Sequence, residues 1–292
     1  MANYEGLNRW ILDSAEILNL QVTQLDWIHE YFQSHYDLDV KVEIGSKTYI
    51  GRGADLDSNL ALVKGVCESI ERYVCDENKI SSTGVAGHLS FDLAKENALL
   101  EYIERVSIWS HFSQKNGMKL ISSEELCVDT KDYGKIAFTL LQFEMIAPFG
   151  FVGIFTLAHG LDSGVNIGGI MGAAVARDIH IAQKKSKIEC LRNISALKVD
   201  SILPTSFERL KEINNPTSED SKGLLFDPNY CKGLIENLSL KHDMSLDLKL
   251  DVNTLNFSKL NYSSPSLKEC PLKFVRCLDQ NSNPAPDTEF VG

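Results

Sequence analysis

One helix pattern occurs three times in this sequence, each time with the same flanking residues. Every copy has a glycine seventeen residues before a glutamate, a helix-capping residue eleven before it and an alanine seven before it. These positions hold Gly51, Asp57, Ala61 and Glu68 in the first copy, Gly84, Ser90, Ala94 and Glu101 in the second, and Gly172, Asp178, Ala182 and Glu189 in the third. The repetition of a turn, a cap and a helix in one frame indicates internal duplication.

Apolar residues recur at matching offsets in the three copies and predict one buried stripe on each helix, with the glutamates beside it. The stripe consists of Leu60, Cys67 and Ile70, of Leu93, Leu100 and Ile103, and of Ile181, Ile188 and Leu191. Two copies also continue in the same way, with a second glutamate and an arginine three and four residues after the first glutamate. These residues are Glu71 and Arg72 in the first copy and Glu104 and Arg105 in the second.

Glutamates at i and i+3 followed by arginine at i+4 are, in a single copy, common on a solvated helix face. Three copies in one frame, each with its glycine and its cap, favour a shared function instead. Carboxylates from three helices suit Mg2+, which prefers oxygen ligands and is usually completed by substrate phosphates. The sequence therefore predicts a magnesium site formed by Glu68, Glu71, Glu101, Glu104 and Glu189.

At these residues the chain resembles the YcaO family, ATP-dependent enzymes that activate peptide backbone amides. The three motifs read Lys64-Gly-Val-Cys-Glu-Ser-Ile-Glu-Arg72, Asn97-Ala-Leu-Leu-Glu-Tyr-Ile-Glu-Arg-Val106 and Lys185-Ser-Lys-Ile-Glu-Cys-Leu-Arg-Asn193. The resemblance extends from about Gly51 to Asn193 and resumes near Pro271 to Pro286. It implies an α+β fold in which mixed or antiparallel sheets are covered by the three glutamate-bearing repeat helices.

The resemblance also implies a binding site for ATP and Mg2+. The implied ATP-binding residues are Lys64, Arg72, Asn97, Arg105, Arg192 and Arg276, and the implied catalytic residues are Glu71, Glu104 and Arg105. Three positions depart from the family pattern, because Lys64 replaces serine, Val106 replaces aspartate and Arg192 replaces glutamine. Lysine and arginine bind phosphate oxygens well and can act as cationic contacts. Equally, they can fill a nucleotide site with charge and disable it, so both outcomes stay open.

The implied activity is O-phosphorylation of a backbone amide in a ribosomally made peptide, with azolines formed from Cys, Ser or Thr. The azoline-forming branch ends in a Pro-x-Pro-x-Pro tail, whereas this chain has only Pro284-Ala-Pro286. Thioamide or amidine formation through the same activation therefore stays open. So does a non-catalytic scaffold subunit of a peptide-modifying complex, because of Lys64 and Arg192.

The expected partners are a precursor peptide and a leader-peptide-binding protein of the E1-like or a similar type. The segment before Val40 is interpreted as two short helices, with no winged-helix or strand-rich module that would bind a leader peptide. We therefore expect a strand-adding partner domain to recruit the substrate. Association into a homodimer stays open.

Composition sets further bounds. The net charge of −11 argues against nonspecific binding of nucleic acid or an anionic membrane. No run of 18 apolar residues occurs, so no membrane span is predicted. The seven cysteines form no C-x-x-C pair and are expected to be reduced. Together these features predict a cytoplasmic protein without a zinc site.

The predicted organisation is an N-terminal helical segment over residues 1–39 and a catalytic domain over residues 40–292. The internal repeats lie at 51–76, 84–113 and 172–197. Within the first segment, helical spacing runs from Leu7 to about Leu20, and a second helix is predicted through Trp27 and Tyr31.

Strand patterns lie between and after the repeats. A hairpin turning at Gly45 is predicted over residues 40–50, and the apolar runs 136–145 and 152–158 predict neighbouring strands. The polar stretch 122–133 precedes them, and residues 164–172 are interpreted as a glycine-rich turn. Residues 214–223 predict a polar loop, and alternating or apolar residues predict strands at 246–252 and 272–277.

Overall fold

The computed structural model describes residues 4–25, 36–114, 117–130, 134–160, 167–196, 227–240 and 250–280. Among these residues the helices are α1 (Glu5–Ser14), α2 (Ser58–Asn78), α3 (Phe91–Gln114), α4 (Ile179–Ala196) and α5 (Pro228–Leu240). The strands are β1 (Gln21–Gln24), β2 (Tyr36–Ile44), β3 (Lys47–Asp55), β4 (Val85–His88), β5 (Lys119–Thr130), β6 (Gly134–Ile146), β7 (Val152–Gly160), β8 (Ile167–Ala176), β9 (Leu255–Leu260) and β10 (Lys273–Asp279). The predicted α+β class is confirmed.

The strands form three antiparallel sheets, with the orders β1-β2-β3, β4-β10-β9 and β5-β6-β7-β8. The chain divides into two compact units. The first unit comprises Met1–Tyr102 and Val252–Asn281, and the second comprises Ile103–Asp251 and Ser282–Gly292. The first unit therefore contains both three-stranded sheets, and the second contains the four-stranded sheet.

The core of the first unit joins α1, the β2–β3 hairpin, α2 and β10. Leu7 and Val40 are fully buried there together with Ile70 and Phe274. The predicted hairpin is confirmed, and its turn uses Gly45 at a φ of 66°. Its alternating residues place one face of β2 on this core.

In the second unit, β6 and β7 pair as predicted and are largely buried. Helix α4 packs on β7 and β8. The hydroxyl groups of Thr156 and Ser186 lie 2.7 Å apart in this interface, and the Gln142 amide donates to Thr156 Oγ1 at 3.2 Å. The buried polar groups between helix and sheet are thus paired with one another.

The repeat helices begin at the predicted caps. Asp57 accepts hydrogen bonds from the amides of residues 59 and 60, Ser90 from that of residue 93, and Asp178 from those of residues 180 and 181. One part of the predicted stripe is wrong, because Leu93 and Ile181 are 39% and 52% exposed. The alanine at the next position takes the buried place, since successive side chains point about 100° apart on a helix.

Several predicted elements need correction. Helix α1 ends at Ser14, and Gln21–Gln24 form strand β1, so the first 39 residues are not all helical. Strand β5 covers most of the polar stretch 122–133, and β8 replaces the predicted turn at its described residues 167–172. Among the described strands, β1 and β5 pair along one edge only, so exposed polar residues obscure their alternation.

Other predictions lie outside the described residues: the helix through Trp27 and Tyr31, the loop 214–223, the strand 246–252 over most of its length, and the tail at Pro284-Ala-Pro286. The predicted strand at 272–277 is confirmed as β10. All seven cysteines are free thiols, as expected. No described helix is both long and apolar enough to cross a membrane.

Candidate active site

The glycine of the first and third copies allows a strand to lie directly against a repeat helix. A Cβ at Gly51 would overlap the carbonyl oxygen of Gly65 and the amide of Ser69. A Cβ at Gly172 would overlap the carbonyl oxygen of Ser186 and the amide of Cys190, fourteen and eighteen residues further on as in the first copy. Only glycine permits this approach of two backbones.

The amide that follows each of these glycines binds the anchor glutamate of its helix. The Arg52 N–H donates to Glu68 Oε2 at 2.9 Å, and the Ala173 N–H donates to Glu189 Oε2 at 3.1 Å. Close approach of strand and helix therefore fixes the carboxylate through a charge-assisted hydrogen bond. The repeated glycine and glutamate are parts of one local structure.

The second copy differs in its strand contact. Gly84 has a φ of 70°, and its carbonyl oxygen accepts from the Cys277 amide of β10 at 2.7 Å. A Cβ at Gly84 would overlap the carbonyl oxygen of Cys277. The neighbouring strand β4 instead supplies the Gly87 N–H, which donates to Glu71 Oε2 of α2 at 3.1 Å.

Three carboxylates of the first unit influence one another. Burial raises the pKa of Glu71 well above its ordinary value, and the charges of Glu101 and Glu68 raise it further. The hydrogen bond from Gly87 and the charge of Arg72 act in the opposite direction without cancelling the shift. Helices α2 and α3 thus bring acids together at some electrostatic cost, which a bound cation would relieve.

The residues present are compatible with Mg2+ in charge and donor type. Among the described residues, no group of three or more His, Cys, Asp or Glu is arranged to hold a metal ion alone. Mg2+ does not need such a group, because one or two carboxylates, substrate phosphates and water usually complete its six ligands. Glu71 and Glu101 would be the protein ligands of this kind in the first unit.

Arg276 is a cation in the same unit that no acid of the described residues neutralises. Its side chain is half-buried on β10, its Nη2 lies 3.4 Å from Ser81 Oγ, and its Nε is buried without a hydrogen-bond partner among the described residues. Within that part of the chain no acidic side chain forms an ion pair with it. Phe274 packs into the core with α2, and residues two apart share a strand face, so Arg276 lies on the face toward α2.

Arg276 and Gly87, whose amide binds Glu71, belong to the same sheet. Phe274 of β10 pairs with Gly87, and Arg276 pairs with Val85. Arg276 is therefore about 7 Å along the strand from the residue opposite the Gly87 amide. A guanidinium and clustered carboxylates in one unit suit a phosphate with its metal ion.

The other proposed ligands of the first unit are more exposed. Lys64 Nζ contacts Asp55 Oδ2 at 2.5 Å and the carbonyl oxygen of Ala54 at 3.1 Å. Arg72 Nη2 lies 2.9 Å from Glu68 Oε1. Asn97 is exposed on α3. Lys64 is thus held back toward the end of β3, and its role in ATP binding stays a prediction.

The remaining proposed ligands belong to the second unit. Glu104 and Arg105 are half-buried on α3, just beyond the boundary between the units. Glu189 and Arg192 are half-buried on α4. Their roles in metal and ATP binding also stay predictions.

One site feature was missed from the sequence. Gly87 does not occupy a repeat position, yet its amide holds Glu71. A weak signal was present, since Gly87 directly precedes His88 shortly before the second cap. Backbone donors leave no side-chain pattern, so sequence reasoning rarely finds them.

The fold is that of YcaO proteins. The YcaO from Methanopyrus kandleri bound with AMPPCP and Mg2+ matches with a TM-score of 0.58 and 12% identity, over 94% of this chain and 90% of that one. A heterocyclase in complex with substrate and cofactor matches with a TM-score of 0.54 and 9% identity. That match covers 92% of this chain and 51% of the heterocyclase, so this chain spans about half of its length. No protein-family model and no curated protein matches the sequence.

The predicted YcaO-like fold is thereby confirmed. At these identities the similarity establishes the fold, and the activity has to be argued from this chain's own residues.

Proposed function

We propose that this chain binds Mg-ATP and activates backbone amides of a ribosomally made peptide by O-phosphorylation. The observation that carries the proposal is Arg276, a half-buried guanidinium without an acidic partner among the described residues, in the unit that collects Glu68, Glu71 and Glu101. The ligands of the M. kandleri YcaO, AMPPCP and Mg2+, support a nucleotide with its metal as the occupant.

In the proposed reaction, a Cys, Ser or Thr side chain of the peptide attacks the preceding amide carbonyl. The attack closes the five-membered ring, and the resulting hemiorthoamide oxygen takes the γ-phosphate of ATP while ADP leaves. Phosphate then departs, the ring nitrogen loses its proton, and the C=N bond of the azoline forms. Arg276 would offset charge on the transferring phosphoryl group, and Glu71 and Glu101 would hold the metal. Bound Mg2+ would supply additional charge neutralisation at the phosphates.

The reconstitution experiment combines the purified chain, Mg-ATP and a candidate precursor peptide, with and without the proteins encoded alongside it. We expect phosphate release and a peptide lighter by one water per azoline when the leader-binding partner is present. Exchange of oxygen for sulfur in the peptide mass would instead identify thioamide formation, and addition of an external amine with loss of water would identify amidine formation. Efficient modification by the chain alone at micromolar peptide would contradict the need for a partner.

A scaffold role is the second candidate, and Lys64 favours it. Its ammonium group forms an ion pair with the carboxylate of Asp55, which offsets the charge that a phosphate contact would need. If the chain is a scaffold, it neither binds nor hydrolyses Mg-ATP in the presence of its partners. The same reconstitution, performed with and without this chain, separates the two functions.

A further inference from the structure

A tyrosine and a histidine contact each other beside the acids of the first unit. Tyr4 Oη lies 3.2 Å from His88 Nε2, and their ring centroids are 5.9 Å apart. Both side chains are half-buried. His88 directly follows Gly87, whose amide holds Glu71. Neither residue has a role in the metal and phosphate contacts proposed above.

The hydrogen bonds of His88 define where the protons lie. The Ser90 N–H donates to His88 Nδ1 in a long hydrogen bond of 3.4 Å, so Nδ1 carries no proton. In a neutral imidazole the proton is then on Nε2, which donates to Tyr4 Oη. Burial lowers the pKa of His88 and favours this neutral form. Tyr4 is therefore the acceptor in the pair, and its own hydroxyl hydrogen points elsewhere.

The Tyr4 hydroxyl hydrogen is available to a ligand. Burial, followed by the nearby Cys67 and Asp55, raises the pKa of Tyr4, so the phenol is protonated at neutral pH. Across the described residues, the bond with His88 is the one hydrogen bond that the Tyr4 hydroxyl group makes. The fold thus presents an oriented neutral donor at the edge of the acid cluster.

The surrounding charges favour a neutral ligand atom. Asp55 lies near Tyr4, Glu71 is bound to the residue before His88, and Lys64 is paired with Asp55. Lys273 is opposite His88 in β10 but on an exposed strand position. The nearby negative charges repel a polyphosphate. They do not repel an uncharged carbonyl oxygen, which can accept a hydrogen bond from the neutral Tyr4 hydroxyl group.

We propose that Tyr4 donates a hydrogen bond to a backbone carbonyl oxygen of the peptide substrate and that His88 positions its hydroxyl group for this contact. The inference rests on the proposed function for the identity of the substrate as a peptide. In this proposal Tyr4 contacts the peptide substrate, whereas Arg276 contacts the phosphate of the nucleotide. His88 is a positioning residue, because it acts through Tyr4.

The test uses the full chain with 13C-labelled tyrosine ring carbons. The Tyr4 resonance is identified by its loss in Tyr4→Phe, and the protein is titrated with N-acetylcysteine N-methylamide or with inorganic triphosphate in the presence of Mg2+. We expect the capped amide, and not triphosphate, to shift this resonance. Ligand-observed NMR should show about three- to tenfold weaker amide binding in Tyr4→Phe, as expected for one lost neutral hydrogen bond.

Two variants of His88 test positioning separately from folding. His88→Ala should weaken amide binding as much as Tyr4→Phe, whereas His88→Gln should retain it, because the glutamine amide can donate from the place of imidazole Nε2. A Tyr4 resonance that responds to triphosphate alone, or to neither probe, overturns the inference. Equal losses in His88→Gln and His88→Ala overturn the positioning role.

Failure of this inference is distinguishable from failure of the proposed function. Mg-ATP binding, measured on the same preparations, should be unchanged in Tyr4→Phe. A wild-type chain that binds the amide through Tyr4 but does not bind Mg-ATP contradicts the proposed function alone. Loss of Mg-ATP binding in Tyr4→Phe contradicts the separation of the peptide contact from the phosphate contact.

Discussion

The β3–α2 pair of the first unit and the β8–α4 pair of the second share one local design but carry different charges. In both, a glycine lies against the helix backbone, and the next amide binds the anchor glutamate. Three residues after that glutamate, α2 has Glu71 where α4 has Arg192. Both strand–helix pairs need a glycine and a carboxylate held by a backbone amide. The residue three positions after the glutamate differs in charge between the two units.

The largest predicted effect concerns the glycines. Gly51→Ala and Gly172→Ala should each lower the free energy of unfolding by about 3 kcal/mol, because the new methyl group meets backbone atoms of the helix that cannot rotate away. Urea unfolding followed by circular dichroism measures this loss.

Helical glycines with open space serve as controls. A Cβ at Gly6 or Gly233 meets nothing within 4 Å, so alanine there should be neutral or stabilise by up to about 1 kcal/mol. If only one of Gly51 and Gly172 is sensitive, the equivalence of the two strand–helix pairs is lost.

The next effect is on activity. Glu71→Gln and Glu104→Gln should each lower ATP turnover about 100-fold while leaving the fold intact, because the amide removes the charge of an oxygen ligand without changing its shape. Phosphate release in the reconstituted system gives the rates, and Glu96→Gln on the exposed face of α3 is the control. A simultaneous collapse of thermal stability shows instead that these acids hold the fold together.

The pH dependence of stability tests whether the charge of Glu71, which has no counterpart on α4, destabilises the folded protein. A carboxyl group whose pKa is raised on folding stabilises the native state below its unfolded pKa and loses this effect as pH rises through the folded pKa. Glu71→Gln should therefore stabilise the metal-free protein at neutral pH, and the gain should disappear below pH 4.5, the ordinary value for this group. Thermal unfolding in EDTA between pH 4 and 8 measures it.

Destabilisation by Glu71→Gln at neutral pH contradicts this account. The result would mean that the hydrogen bond from Gly87 outweighs burial and the charges of Glu101 and Glu68.

The smallest effect is expected at the helix caps. Asp57→Ala and Asp178→Ala should each cost about 1 kcal/mol, because each removes a side chain that accepts from two helix amides. Asp13→Ala, at an exposed helix position, should change stability by less than about 0.5 kcal/mol. Equal effects at all three positions indicate that the caps contribute nothing specific.

The sequence predicted much of this architecture because local physics governs it. The caps at Asp57, Ser90 and Asp178 satisfy amides of their own helices, and the hairpin depends on one turn at Gly45. Period and capping were sufficient for such elements. The fold itself was predicted by resemblance, through the glutamate motifs.

What the sequence did not predict depends on contacts between distant residues. Strands β1 and β5 are stabilised by their partners and not by an apolar pattern of their own. The Gly87 amide reaches Glu71 only because β4 pairs with β10 and lies beside α2. Tyr4 meets His88 across 84 residues of sequence, which no local pattern indicates.

The most direct test of the central claim is calorimetric titration of the chain with ATP, in Mg2+ and in EDTA. Tight binding is expected only with Mg2+, because clustered carboxylates repel a bare triphosphate. Arg276→Gln should weaken Mg-ATP binding at least tenfold, whereas Arg72→Gln, whose exposed side chain pairs with Glu68, should weaken it less. Equal ATP affinity in both buffers, no binding in either, or full binding by Arg276→Gln would contradict the assignment of the first unit as the nucleotide site.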